Sequence, residues 1–208
     1  MKSIFQFIVK PIGERYNNEI NIDDKILIVN AGIENHNFVN RLAEVVEVPA
    51  AYKTPIKKGD KVIVHFNLFR RWYDIRGKEK NSSKYFKDNM YFVTDDQVYM
   101  YHKDDKWYAN GDYCFVKPVL EKQNIRGDKL KTLRGILKYG NSSLEAIQIN
   151  PEDHVGFKPL SEFEFVVDKQ LLYCMKSNDI VIKYERQGNE TEYNPSWTES
   201  SWWVDKGC

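Results

Sequence analysis

The chain has 208 residues, which is enough for one large or two small domains. Its 31 basic and 30 acidic residues leave a formal net charge of +1, which excludes a global electrostatic attraction to nucleic acid or to an anionic membrane. A hydrophobic fraction of 42% with a mean hydropathy of −0.61 predicts a soluble protein with a core, and no stretch approaches the roughly 20 apolar residues of a membrane span.

Strand patterns dominate the first half, and no window shows a sustained helical period. Two long connections interrupt the strands: residues 13–41 form a loop, and residues 67–89 form an insertion. Connections this long in a small domain are functional or disordered. The predicted strands, in chain order, are Phe5–Val9, Leu42–Val48, Lys61–Phe66, Met90–Val93 and Val98–Tyr101.

The second half runs through the same order of parts. The phrase Ile8-Val9-Lys10-Pro11-Ile12 recurs as Phe115-Val116-Lys117-Pro118-Val119. Further along, we match Leu42–Glu47 to Leu133–Lys138, Lys58–Val62 to Pro151–Val155, and Tyr91–Tyr101 to Leu171–Tyr184. This repetition predicts a tandem of one small all-β domain, with domains at residues 1–109 and 110–186 and a tail at 187–208.

Three cysteines, Cys114, Cys174 and Cys208, are too few for a disulfide framework and have no Cys-x-x-Cys spacing. The first two lie in apolar, strand-like runs, so we interpret them as small buried hydrophobic residues. This usage is typical of a reducing compartment and predicts a cytoplasmic protein, in the host cytoplasm if the chain is viral.

No catalytic motif is present: the sequence has no P-loop, no nucleophile elbow and no zinc-protease helix. The acidic pairs fall in predicted turns, where Asp is favoured for backbone reasons. We therefore predict a protein that is not an enzyme and that has no metal site and no cofactor. The four histidines do not have the spacing of metal ligands; they are His36, His65, His102 and His154.

Residues 69–80 mix basic and aromatic side chains. One interpretation is an exposed hairpin with cross-strand pairs, or a contact between subunits. The other is a nucleic-acid stacking surface that uses Arg70, Arg71, Trp72 and Tyr73.

The sharpest local signal in the long loop is the apolar run Ile26, Leu27, Ile28 and Val29. One interpretation is a short internal strand that packs on the domain. The other is a mobile segment whose apolar side chains are kept for a partner's groove, where the cost of ordering the loop offsets part of the binding energy.

Taken in order, these parts resemble the small co-chaperonins of the GroES type (the chaperonin 10 family), including its phage-encoded members. The resemblance covers about residues 4–101 and 113–184. The matching pieces are Val9-Lys10-Pro11, the loop with Ile26-Leu27-Ile28, Leu42–Val46, Ile56–Val62 and Phe92–Val98, followed in the second copy by Tyr173–Val181.

The resemblance implies an all-β fold of two tandem GroES-like irregular β-barrels that self-associate into a ring. It implies that the loop at residues 13–41 docks on a chaperonin of the GroEL type through Ile26, Leu27, Ile28 and the adjoining Val29. The body would then cap an ATP-driven folding chamber without performing chemistry itself. Neither a membrane nor nucleic acid is expected as a partner.

The sequence departs from the family pattern in several places. Both copies lack room for the family's roof hairpin, at Val48–Pro55 and at Tyr139–Ile149. The second copy has a shortened loop, Glu121–Thr132, without an apolar run, so we do not expect it to bind a chaperonin in the same way. The insertion at residues 67–89 and the Trp-containing tail are also atypical.

Two other functions stay open. Tandem GroES-like barrels could serve as a structural or assembly protein with no chaperonin partner. A small-barrel nucleic-acid-binding protein is the second alternative.

Overall fold

The computed structural model describes residues 2–16, 19–22, 25–28, 39–121, 129–185 and 190–198, and of 19–22, 25–28, 121, 129, 131 and 190 it describes the backbone alone. The predicted all-β class is confirmed, because strands dominate and the only α-helix within these residues is the single turn α1 (Ser142–Glu145). Within the same residues, no helix is long and apolar enough to cross a membrane. The chain divides into two compact units between Asp105 and Lys106.

Seventeen strands lie in the described residues, and nine of them precede this division. They are β1 (Phe7–Pro11), β2 (Glu19–Ile22), β3 (Lys25–Ile28), β4 (Leu42–Glu47), β5 (Lys61–Val64), β6 (Arg71–Tyr73), β7 (Glu79–Asn81), β8 (Tyr91–Val93) and β9 (Val98–Lys103).

Eight strands follow it. They are β10 (Lys106–Ala109), β11 (Tyr113–Glu121), β12 (Lys129–Tyr139), β13 (His154–Phe157), β14 (Phe163–Val167), β15 (Gln170–Lys176), β16 (Ile180–Tyr184) and β17 (Glu190–Glu192).

The first large sheet has the order β10-β9-β5-β4-β1-β8, and the pairs β2-β3 and β6-β7 form separate two-stranded sheets. The core of the first unit is apolar and fully enclosed, as Phe7, Val9, Val62, Phe69 and Tyr91 have no exposed surface. Their burial stabilises the unit at roughly 1.5–3 kcal/mol for each side chain.

The second large sheet has the order β14-β15-β11-β12-β13-β16, and β17 also pairs with β11. Its core includes Val116, Leu137 and Val155, which are fully buried. Cys114 and Cys174 are buried free thiols, as the sequence predicts. Burial and the nearby Asp179 carboxylate raise the pKa of Cys114 to about 12.

Both sheets contain the same five-strand order. In the first it is β8-β1-β4-β5-β9, in the second it is β15-β11-β12-β13-β16, and every neighbouring pair in both runs is antiparallel. The repeated order of sequence parts therefore corresponds to a repeated order of strands. Each of the two runs is an open sheet.

An aspartate turn repeats atom by atom. The Oδ2 atom of Asp60 accepts a hydrogen bond from the Lys57 N–H at 2.7 Å, and the Oδ2 atom of Asp153 accepts one from the Asn150 N–H at 2.8 Å. The Asp60 carbonyl accepts from the Val45 N–H, and the Asp153 carbonyl accepts from the Leu137 N–H. The predicted match of these two turns is confirmed.

The predicted match of Leu42–Glu47 to Leu133–Lys138 is wrong by one residue. Val9 faces Val45 and Val116 faces Leu137, so Leu42–Glu47 corresponds to Arg134–Tyr139. The pairing register of β11 and β12 shifts between Pro118, opposite Gly135, and Leu120, opposite Leu130, and near this shift Leu133 adopts a φ of +58°. Four residues of β12 therefore stand against one of β11, so sequence spacing alone does not give the match.

Candidate docking site at the base of the long loop

The backbone places the predicted docking residues in a hairpin. Ile26, Leu27 and Ile28 lie in β3, which pairs with β2 so that Leu27 faces Ile20 and Ile26 faces Asn21. Val29 lies outside the described residues. The strand that one interpretation expected is present, but it pairs with β2 in a two-stranded sheet and with no strand of either large sheet.

Strand alternation divides the apolar run between two faces of this hairpin. Residues at alternate positions of a strand belong to the same face, so Ile26 and Ile28 share one face and Leu27 belongs to the other. Ile20, opposite Leu27, shares its face. A flat surface could therefore contact only part of the run, whereas a cleft could contact both faces.

Asn40 holds the two ends of the loop together. Its side chain is 4% exposed, and its Nδ2 atom donates to the carbonyls of Ile12 and Glu14 at 2.7 and 2.8 Å. Its Oδ1 atom accepts from the Leu42 N–H at 2.8 Å. A buried amide that satisfies three backbone groups fixes the spacing of the loop ends, because each group would otherwise be buried unpaired.

Arg15 ties the start of the loop to the insertion. Its Nε and Nη2 atoms both donate to the Phe69 carbonyl, at 3.1 and 2.8 Å, and its Nη1 atom donates to Oδ1 of Asn81 at 2.7 Å. The guanidinium also lies 5.5 Å from the centroid of the Tyr91 ring. Burial lowers the pKa of Arg15 from its ordinary value. One side chain thus connects the loop, the insertion and the core.

Tyr16 makes a second connection beside it. Its hydroxyl accepts the Arg71 N–H at 2.7 Å, and the Arg71 guanidinium lies 4.8 Å from the centroid of its ring. Tyr16 also forms an isolated antiparallel bridge with Val39. We call Arg15, Tyr16, Val39 and Asn40 the loop base.

The insertion forms the hairpin that the sequence predicts. Strands β6 and β7 pair with Trp72 opposite Lys80 and Tyr73 opposite Glu79. At the turn, Oδ1 of Asp74 accepts the N–H groups of Arg76 and Lys78, both at 2.9 Å. These hydrogen bonds, led by that from Lys78, lower the pKa of Asp74.

Ion pairs neutralise part of the positive charge of this hairpin. Arg71 lies 3.0 Å from Glu79, and Lys80 lies 3.7 Å from Asp74. Trp72 and Tyr73 are half exposed, at 45% and 51%. The mixture of basic and aromatic residues at 69–80 is thus explained in large part by cross-strand pairing. It favours a nucleic-acid surface less, because cations that bind carboxylates within the hairpin are not free to bind phosphate.

Among the described residues, the second unit has no counterpart of the loop base. Strands β11 and β12 stay paired as far as Glu121 opposite Lys129, so the described part of the predicted loop at Glu121–Thr132, residue 121 and residues 129–132, is strand, and residues 122–128 lie outside the described part. In the second unit β17 pairs with the end of β11, and Glu192 lies opposite Val119.

Glu192 fixes this flanking strand through two lysines. Its Oε2 atom lies 3.4 Å from the buried Lys117, and its Oε1 atom lies 2.6 Å from Lys138. Burial acts to raise the pKa of Glu192, but the hydrogen bonds and charges of Lys138 and Lys117 outweigh it and lower the pKa overall. The ends of β1 and β11 are thus held by different segments, the loop base in the first unit and β17 in the second.

The histidines show no common site. His65 precedes a short 3-10 helix and accepts the Asn67 N–H at Nδ1, while His154 is buried in β13. His36 lies outside the described residues. Across the described ranges, no group of three or more His, Cys, Asp or Glu is arranged to hold a metal ion.

Comparisons with known proteins add no relative. No protein-family model matches the sequence, and a search of curated proteins returns no significant match. The features of the molecule that point to a function are therefore the repeat, the loop and its base.

Sequence reasoning missed the residues of the loop base. Arg15, Tyr16 and Asn40 carry no motif, and their partners are far away in sequence: Phe69 is separated from Arg15 by 54 positions and Asn81 by 66. Only the length of the two segments pointed to them, because the loop and the insertion are both longer than ordinary connections and such segments are often functional.

Proposed function

We propose that the protein is a co-chaperonin of the GroES type, built of two tandem barrels and encoded by a phage. It acts in the cytoplasm of the host, associates with itself into a ring, and caps the folding chamber of a GroEL-type chaperonin. The observation that carries this proposal is the long loop of the first unit, held at its base by Arg15, Tyr16 and Asn40.

The repeated strand order supports the fold that the proposal requires. Both five-strand runs have the same order and the same aspartate turn, as two copies of one barrel would. In this proposal, residues 1–109 and 110–186 are two diverged copies of the irregular GroES-like barrel.

The docking residues are Ile26, Leu27, Ile28 and Val29. Burying three such side chains contributes roughly 5–8 kcal/mol before the cost of ordering the loop. A fixed base lowers that cost, because the two ends of the loop are already placed. Several weak sites that act together in a ring then give useful affinity and still allow release.

The second unit has an architectural role in this proposal. Strand β11 stays paired with β12 as far as Glu121, at the place where the first unit has its long loop. Strand β17 pairs with this end of β11 and is held there by Glu192. The second unit extends the wall of the cap or forms the contact between subunits.

Binding to a purified GroEL-type chaperonin in the presence of ATP tests the proposal. Sedimentation velocity should show the protein migrating with the chaperonin, and Ile26→Ser/Leu27→Ser/Ile28→Ser should abolish this while the unliganded particle keeps its mass. A matched control, Phe163→Ser, changes an exposed apolar residue of the second unit and should leave binding intact.

Two results would reject the proposal. One is an absence of co-sedimentation with nucleotide present. The other is equal binding by the triple variant, which would favour an assembly protein whose loops have no chaperonin partner.

A further inference from the structure

The hairpin of the insertion presents an apolar tip on a fixed turn. Trp72 and Tyr73 are about half exposed, and Ile75 is 103% exposed, which is as much surface as an isolated residue shows. We call these three residues the hairpin tip. The turn beneath them is ordered by Asp74, which accepts two backbone N–H groups, and by Gly77, whose φ is +71°.

Folding does not explain the hairpin tip. Turn positions between paired strands favour Gly, Asn, Asp, Ser and Pro, and Ile75 buries nothing there. Trp72 and Tyr73 are neighbours in β6 and so belong to opposite faces of the hairpin, with Ile75 at its end, so a depression that encloses the hairpin would contact all three. Exposed apolar residues clustered on a rigid element are typical of an interaction site. Tyr and Trp are also the side chains that most often dominate binding energy at protein interfaces.

The hairpin is attached to the same residues that hold the docking loop. Arg15 donates to Phe69, just before the hairpin, and to Asn81, the last residue of β7, and the Tyr16 hydroxyl accepts from Arg71 in β6. These hydrogen bonds join the base of the loop directly to the base of the hairpin. A partner bound to the loop would therefore lie close to the hairpin.

The charge of the hairpin indicates the kind of surface to which it would bind. Five basic and two acidic residues lie between Arg70 and Lys80, and two of the basic ones are paired within the hairpin. Arg76 and Lys78, at the turn, add positive charge beside Ile75. The complementary surface is an apolar depression with a carboxylate rim.

We propose that the hairpin tip is a second docking element, which enters an acidic-rimmed apolar depression on the chaperonin subunit that receives the loop. This inference rests on the proposed function and adds to it a rigid contact outside the loop. The loop supplies a reversible contact, and the hairpin fixes the angle at which the cap binds.

The test compares variants by their affinity for a GroEL-type chaperonin with ATP, measured by biolayer interferometry. Trp72→Thr/Tyr73→Thr/Ile75→Ser keeps strand-forming and turn-forming residues, so the hairpin should fold and thermal unfolding should be unchanged. We expect its affinity to fall at least tenfold and its dissociation to accelerate. Arg76→Ser/Lys78→Ser should lower the association rate and weaken its dependence on salt. The matched control is Phe163→Ser.

The outcomes separate this inference from the proposed function. If the loop variant abolishes binding but the hairpin variant binds like the wild type, the second docking element is wrong and the co-chaperonin proposal stands. If the wild type does not bind, both fail. If the hairpin variant instead changes the mass of the free particle, the tip contacts another copy and the inference is overturned. If the wild type binds a thymidine 20-mer and the hairpin variant does not, the tip contacts a nucleic acid and the inference is again overturned.

Discussion

At the scale of single residues, the loop base depends on buried polar atoms more than on apolar contact. Asn40 satisfies three backbone groups with one amide, and Arg15 donates to the Phe69 carbonyl and to the Asn81 side chain. Such atoms matter because removing one partner leaves the others buried and unpaired.

Replacing Asn40 with alanine should therefore be costly. The variant leaves the carbonyls of Ile12 and Glu14 and the Leu42 N–H without their partner, so we expect a loss of about 2–4 kcal/mol in the free energy of unfolding. Urea denaturation measures this. Asn178→Ala, at an exposed position, should change it by less than about 0.5 kcal/mol. Equal effects of the two changes would contradict the role given to Asn40.

His65 should make stability depend on pH. Burial, and then the nearby Arg41 guanidinium, lower the pKa of His65 from its ordinary value of 6.5. Between the folded and unfolded pKa values the unfolded chain binds more protons, so the free energy of unfolding should fall as pH drops below 6.5 and level off below the folded pKa.

The variant His65→Asn tests this dependence. Asparagine can still accept the Asn67 N–H but does not titrate, so its free energy of unfolding should fall less than that of the wild type between pH 7.5 and 5.5. Urea titrations at both values supply the comparison. An equal fall in both proteins would show that other groups cause it.

At the scale of elements, a loop and a hairpin far apart in sequence form one structural part. Lysine at position 15 keeps the charge but loses the fork that reaches Phe69 and Asn81 together. For Arg15→Lys we expect amide exchange at Arg71, whose N–H binds the Tyr16 hydroxyl, to accelerate about tenfold.

Hydrogen exchange followed by NMR measures that change. The control Arg76→Lys, in the turn of the same hairpin, should leave exchange at Arg71 unchanged. If Arg71 stays equally protected in both variants, the loop base does not depend on the guanidinium.

At the scale of the whole molecule, the sequence predicted the repeated order of strands but not the contacts that differ between the two units. Strand order follows from apolar alternation and turns, which are local, so the repeated phrases around Lys10 and Lys117 were enough. The one-residue error at Leu133 arose because its left-handed backbone leaves no mark in the sequence. Arg15 and Glu192, which hold the segments beside β1 and β11, bind residues that are distant in sequence, and these contacts could not be predicted.

The two copies should also differ in tolerance at one matched position. Ala43 faces Pro11 and Gly135 faces Pro118, but a Cβ on Gly135 would lie 2.4 Å from the Lys117 carbonyl oxygen. Gly135→Ala should therefore cost about 1–3 kcal/mol of unfolding free energy, measured in urea. Gly140→Ala should cost less, since its Cβ would meet only the end of the Leu137 side chain, at 3.3 Å. A neutral Gly135→Ala would mean that the strands separate easily here.

The pairing of β17 with β11 constrains what can replace the segment after β16. Any change that draws residues 190–192 away from Val119–Glu121 would leave the buried Lys117 without Glu192. A protein fused at this point should therefore be joined after residue 192, so that the clasp on β11 stays in place.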